Sequence, residues 1–103
     1  MIVHIALFKW KDEVSAEDIE HVMVDVRGLK DKVEGIIDIF CGRNFSVWNK
    51  GFTHALVVLT VDQLALDIYR KHPSHQEIVQ KTDRMEADSI GVDFEANEPS
   101  SRN

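Results

Sequence analysis

One cysteine, two prolines and no cluster of basic residues exclude several kinds of protein. Cys41 alone cannot close an intrachain disulfide, so no disulfide framework holds this chain. With 18 acidic against 12 basic residues and a formal charge of −6, the sequence offers no basic stripe for a phosphate backbone. Nucleic acid is therefore not expected as a partner. No apolar run approaches the ~20 residues that span a bilayer. The first ten residues, MIVHIALFKW, lack the basic start and small-residue cleavage site of a signal peptide. The expectation is a cytoplasmic protein with no membrane association. A glycine-rich phosphate loop and a Gly-x-Ser-x-Gly elbow are also missing, so nucleotide-dependent and serine-hydrolase chemistry have no support and no cofactor is expected.

What is present is an ordinary globular composition, 44% hydrophobic and 29% charged. The length of 103 residues fits one domain. A domain of that size buries only about 60–70% of the surface its unfolded chain exposes, so dimerisation would help it. Residues 1–96 are assigned to the domain. The end of the chain, NEPSSRN (97–103), has no large apolar residue and no periodicity, and reads as a flexible tail.

Residues 2–10, IVHIALFKW, are β-branched or aromatic and apolar at nearly every position before Lys9, as in a strand covered on both faces. One face carries His4, Ala6, Phe8 and Trp10, the other Val3, Ile5 and Leu7. Ser15, three residues before Asp18, can cap a helix. In that helix Ile19, Val22, Met23, Val26, Leu29 and Val33 form one apolar stripe, and Gly35 is placed to end it. IIDIFCG (36–42) reads as a second strand, RNFSVWNKG (43–51) as a polar loop that also carries Phe45 and Trp48, and FTHALVVLTV (52–61) as a third strand. A second helical region starts near Asp62. It cannot run through Pro73, which lacks a backbone donor and pushes His72 out of the α region, so Pro73 is expected to start a new helix. SIGVDFEA (89–96) alternates as a fourth strand.

The order β-α-β-β-α-β is that of an α+β, ferredoxin-like fold: a four-stranded antiparallel sheet with its helices on one face. Strands apolar on both faces would leave the other face exposed on a monomer, so two sheets are expected to pack face to face in a homodimer.

In this topology the first and third strands are neighbours, which places His4 and His54 on one face of the sheet. Each is either a buried, neutral, hydrogen-bonded imidazole or part of a pocket between sheet and helices. Tyr69, His72 and His75 form a second group around Pro73. His75 in the first turn of a helix would feel the positive end of the helix dipole, which favours the neutral base form. Tyr69 could donate to an oxygen that gains negative charge. The alternative makes His72 a local cap and Tyr69 core packing. The four histidines lack a standard zinc spacing, and no metal is expected. His21 lies off the apolar stripe and is expected in solvent, and Cys41 reads as a small buried hydrophobe.

HIALFKWKDE, LKDKVEGI into CGRN, GFTHALVV, YRKHPSHQ and VDFE, in this order and spacing, resemble the stress-responsive A/B barrel family of dimeric α+β barrels, from Met1 to about Glu95. The resemblance implies a ferredoxin-like protomer and a homodimer. The family includes a plant polyketide cyclase that uses a tyrosine and a histidine in the matching Tyr-x-x-His-Pro-x-His segment. By that resemblance His75 is the base that removes a proton α to a carbonyl, Tyr69 holds the oxyanion, and His4 and His54 orient the substrate. Ala6, Leu56, Met23 and His72 complete the expected pocket. Where the cyclase has aromatic side chains on its first helix, this chain has Val22, Met23 and Val26, which implies a different cavity and substrate. The expectation is a homodimer that binds a small apolar carbonyl or aromatic compound and performs cofactor-free lyase or cyclase chemistry. The alternative is a stress-response or ligand-binding barrel without turnover.

Overall fold

A computed structural model describes residues 1–97. Its elements are β1 (Ile2–Trp10), α1 (Ala16–Gly28), β2 (Ile36–Arg43), β3 (His54–Thr60), α2 (Gln63–Lys71), α3 (Pro73–Met85) and β4 (Glu86–Glu95), with a short 3₁₀ turn at Leu29–Asp31. The strands form one antiparallel sheet in the order β2-β3-β1-β4. This is the expected ferredoxin-like arrangement, with the second helical region divided into α2 and α3. Residues 98–103, nearly all of the expected tail, lie outside the described residues.

Local chemistry sets each boundary. The Ser15 hydroxyl accepts from the Asp18 amide at 3.1 Å, and the Asp62 carboxylate accepts from the Ala65 amide at 2.8 Å, capping α1 and α2. The sequence predicts an α1 stripe running on to Val33, but the helix ends at Gly28. The 3₁₀ turn that follows is wound more tightly and carries Leu29 and then Val33 into the core, where both are buried. Gly35 serves the turn into β2 rather than the helix. Its φ of +85° is open to glycine, and a Cβ there would stand 2.6 Å from the Ala65 Cβ. At the other end, β4 begins at the residue after α3, and the Lys11 amide ties that junction to β1 by donating to the Met85 carbonyl at 2.9 Å.

The core lies between the sheet and the helices. Ile2, Phe8, Ile39, Leu56 and Val58 face Val22, Met23, Val26, Leu66, Tyr69 and Ile78. On the other side of the sheet Val3, Ile5, Leu7, Val57 and Leu59 are only half-buried, and Phe40, Ile90, Val92 and Phe94 are exposed. A continuous apolar surface therefore occupies the face that the helices do not cover.

Gly35→Ala should destabilise the fold by about 2–4 kcal/mol, through left-handed backbone strain of about 1–2 kcal/mol and the clash with Ala65. Urea denaturation checks this. In the Gly35→Ala background, Ala65→Gly should recover the steric part alone.

Candidate functional site

Sequence places the break at Pro73, and the break builds the site. A proline at 73 has no N–H for the Tyr69 carbonyl, which instead accepts from the His72 amide at 3.2 Å. His72 is extended (φ −64°, ψ 134°), and its Nδ1 accepts from the Ser74 amide at 3.1 Å. Ser74 is thus diverted from the Arg70 carbonyl that it would reach in an unbroken helix. That carbonyl accepts instead from His75 Nδ1 at 3.0 Å and from Gln76 Nε2 at 2.5 Å. A carbonyl can only accept, so His75 Nδ1 carries the proton and Nε2 keeps the lone pair.

The fold swings His75 against Tyr69, with ring centroids 4.4 Å apart, and Tyr69 stands 6.1 Å from His4 on β1. All three line a cavity of about 210 Å³ between the sheet, α1 and α3, with Ala6, Phe8, Leu56, Val26, Ile78, Val79 and Thr82 as its apolar and small walls and Asp83, Glu86 and Ser89 at its polar end. Among the described residues no buried side-chain nitrogen or oxygen lacks a partner. Burial pushes the Tyr69 phenol well above the ordinary tyrosine range, so it stays protonated and able to donate. Burial also lowers the His75 imidazole, offsetting the bond to the Arg70 carbonyl, and the His4, Arg70 and His72 charges push it the same way. At neutral pH the pair is thus a neutral imidazole beside a neutral phenol.

His4 has a partner that sequence reasoning missed. Its Nδ1 lies 2.5 Å from Asp93 Oδ1, and the Arg70 guanidinium donates to the other oxygen, Oδ2. Burial alone would raise the Asp93 carboxyl, but the bonds from His4 and Arg70 prevail and hold it below its usual range. The carboxylate fixes His4 with its proton on Nδ1. Arg70 therefore serves both imidazoles, one through its carbonyl and one through its side chain. The only trace of Asp93 in the sequence is its alternation phase in β4; the pairing His4↔Asp93 depends on register, which one sequence does not display.

His54 does not join the group. The register pairs Phe8 with His54 and Val58 with His4, so the two histidines share a face but stand four residues apart, about 13 Å along the strands. The Trp10 indole donates to His54 Nδ1 at 3.0 Å, and the Thr53 hydroxyl lies at the same distance. Burial, aided by the Arg43 charge, lowers its pKa. Met23 is buried behind the cavity wall and His72 acts as a helix cap. His21 is exposed near Glu17. Cys41 is half-buried, with burial raising its pKa, which disfavours the thiolate. Among the described residues no group of three or more His, Cys, Asp or Glu is disposed to hold a metal ion.

Arg70→Met should raise the Asp93 pKa toward the usual ~3.9 and cost at most about 1 kcal/mol at neutral pH, since the pair is half-exposed. The sign follows from linkage: a carboxyl depressed by folding stabilises above its unfolded pKa and loses that contribution as pH falls through the folded value. The difference between the two proteins should therefore vanish at low pH. Carboxyl NMR titration and denaturation at several pH values check both effects.

Likeness to known proteins is extensive in fold. A protein of Arabidopsis thaliana superposes with a TM-score of 0.87 at 24% identity, covering 97% of this chain and 99% of its own. A hydroxynitrile lyase from Passiflora edulis gives a TM-score of 0.87 at 16% identity, with 96% and 95% covered. A dimeric ferredoxin-like protein of unknown function from Thermobifida fusca gives 0.80 at 26% identity, with 90% and 88% covered. No curated protein sequence matches the chain. No helix among the described residues is long and apolar enough to cross a membrane. The family model for the stress responsive A/B barrel domain matches residues 2–96, nearly the whole sequence, and the chain belongs to that family.

Proposed function

We propose that the chain forms a homodimer through its open sheet face, and that each protomer's cavity binds a small carbonyl-bearing compound and moves a proton on it without a cofactor. His75 Nε2 takes the proton α to the carbonyl, the Tyr69 hydroxyl donates to the enolate oxygen, and His4, held by Asp93, orients the substrate. What supports this is the meeting, on one apolar cavity, of a base kept neutral by burial and a phenol kept protonated by the same burial. Polyketide-like carbonyl compounds have this chemistry, though about 210 Å³ favours a single ring or a short chain: an engineered cavity of about 150 Å³ admits benzene. The Passiflora edulis neighbour shows that this scaffold can serve a lyase, without extending that activity to the present chain. Several similar solved structures are described as dimeric, which supports the homodimer.

The rival is a stress-response or ligand-binding barrel without turnover, and a volume below the ~300–1,000 Å³ of common ligand pockets favours the first of these forms, a barrel that acts without a ligand.

A panel of small β-dicarbonyl and hydroxyaryl ketone compounds, assayed by NMR for α-proton exchange with deuterium, separates the two. In the enzyme reading, His75→Ala abolishes exchange and Tyr69→Phe slows it by about 10²-fold or more, while stability changes by no more than about 1–2 kcal/mol. The rate should rise as pH climbs through a midpoint below the ordinary imidazole value of 6.5, where His75 loses its proton. Saturable binding without exchange in wild type would leave the binding barrel as the function.

A further inference from the structure

The cavity that holds Tyr69 and His75 has a second end whose residues take no part in the proton transfer. His75 and Asp83 stand about 12 Å apart along α3. On β1, His4 and Phe8 mark a similar span of about 13 Å. A volume of about 210 Å³ drawn out over that length describes a slender slot rather than a round chamber. Its inner end is dry, since Tyr69 is only 1% exposed. Its outer end is the mouth, where Asp83 and Ser89 are exposed and Glu86 is half-buried.

The mouth presents acceptors without free donors. The Ser89 hydroxyl already donates to Glu86 Oε1 at 3.3 Å, and Thr82, the next hydroxyl inward, donates to the Val79 carbonyl at 3.2 Å. Ionised carboxylates can only accept. Among the described residues no lysine or arginine lines the cavity. Lys81 and Arg84 instead line a groove between α3 and α1 with Asp18 and Asp25, and Lys9 lies over the Phe52 ring. Negative charge is crowded at the mouth: burial raises the Glu86 carboxyl, the Ser89 bond opposes that, and the charges of Asp83 and Asp88 push it up further. We propose that this end sets the substrate class: the guest is an uncharged, elongated carbonyl compound that enters carbonyl end first and carries a hydroxyl group at its trailing end. The inference rests on the proton transfer proposed above and adds the identity of its substrate. Glu86 and Asp83 accept from the trailing hydroxyl. A carboxylate or phosphate in its place meets like charge with no donor to pair it, in a half-buried site where repulsion is poorly screened.

Three ketones of similar length test this on the full chain: para-hydroxybenzylacetone, benzylacetone and para-carboxybenzylacetone. Exchange of their α-protons with deuterium, followed by NMR, gives kcat/KM for each. The hydroxyl compound should exceed the carboxylate by about 10²-fold or more, with benzylacetone between them. Glu86→Gln, which keeps the size and removes the charge, should cut that ratio about tenfold, and Glu86→Lys should reverse the order. Glu86→Gln carries the test if the lysine variant does not fold. Equal rates for the three ketones, or ratios that ignore both substitutions, overturn the selection at the mouth and leave the proton transfer standing. If no ketone exchanges, saturation-transfer NMR ranks their binding. Hydroxyl before carboxylate, with the preference lost in Glu86→Gln, then supports the selection while overturning the chemistry. Carboxylate bound as tightly as hydroxyl, or no binding of any of the three, overturns both.

Discussion

The Arg70 carbonyl, left without its helical partner, is the group on which the site depends. A continuous helix would spend that oxygen on the amide four residues ahead. Because Pro73 forces His72 into extended geometry and His72 takes the Ser74 amide, the oxygen is free to receive the His75 ring. One backbone disruption therefore sets the tautomer of His75, its approach to Tyr69 and the direction of α3. The remaining polar contacts, Arg70 to Asp93 and Asp93 to His4, connect this junction to the sheet.

Burial rather than charge governs the two central groups. It moves the Tyr69 phenol and the His75 imidazole in opposite directions on the pH scale, and both shifts favour the uncharged form. Asp93 differs because it is half-exposed and doubly hydrogen-bonded, and it stays ionised. A dry acid–base pair beside a wetter ionic clamp is a division that the short distances between Tyr69, His75 and His4 make possible.

The fold was legible in the sequence wherever periodicity and punctuation spoke to the same segment. The face assignment of β1, the cap at Ser15 and the break at Pro73 follow from chemistry local to a few residues, and the structure bears them out. Reading failed where the answer depended on long-range registration. The α1 stripe ran past Gly28 because a 3₁₀ turn preserves which residues face inward while ending the helix. His54 looked like a partner of His4 because both interrupt apolar central strands, yet the offset between them is set by antiparallel pairing. Asp93 stayed hidden for the same reason: an acidic residue in an edge strand looks like a solvated position until the strand opposite is known.

The absence of any residue between Met85 and Glu86 has a kinetic side. Helix α3 and strand β4 supply two walls of the cavity, and with no linker between them neither can swing away as a lid. The Lys11 bond to the Met85 carbonyl anchors the corner further. Entry and exit of the proposed guest would then fall to rotamer changes around the polar end at Asp83, Glu86 and Ser89. Such changes are far faster than domain closure, so residence time would be set by the contacts a guest makes rather than by a gate.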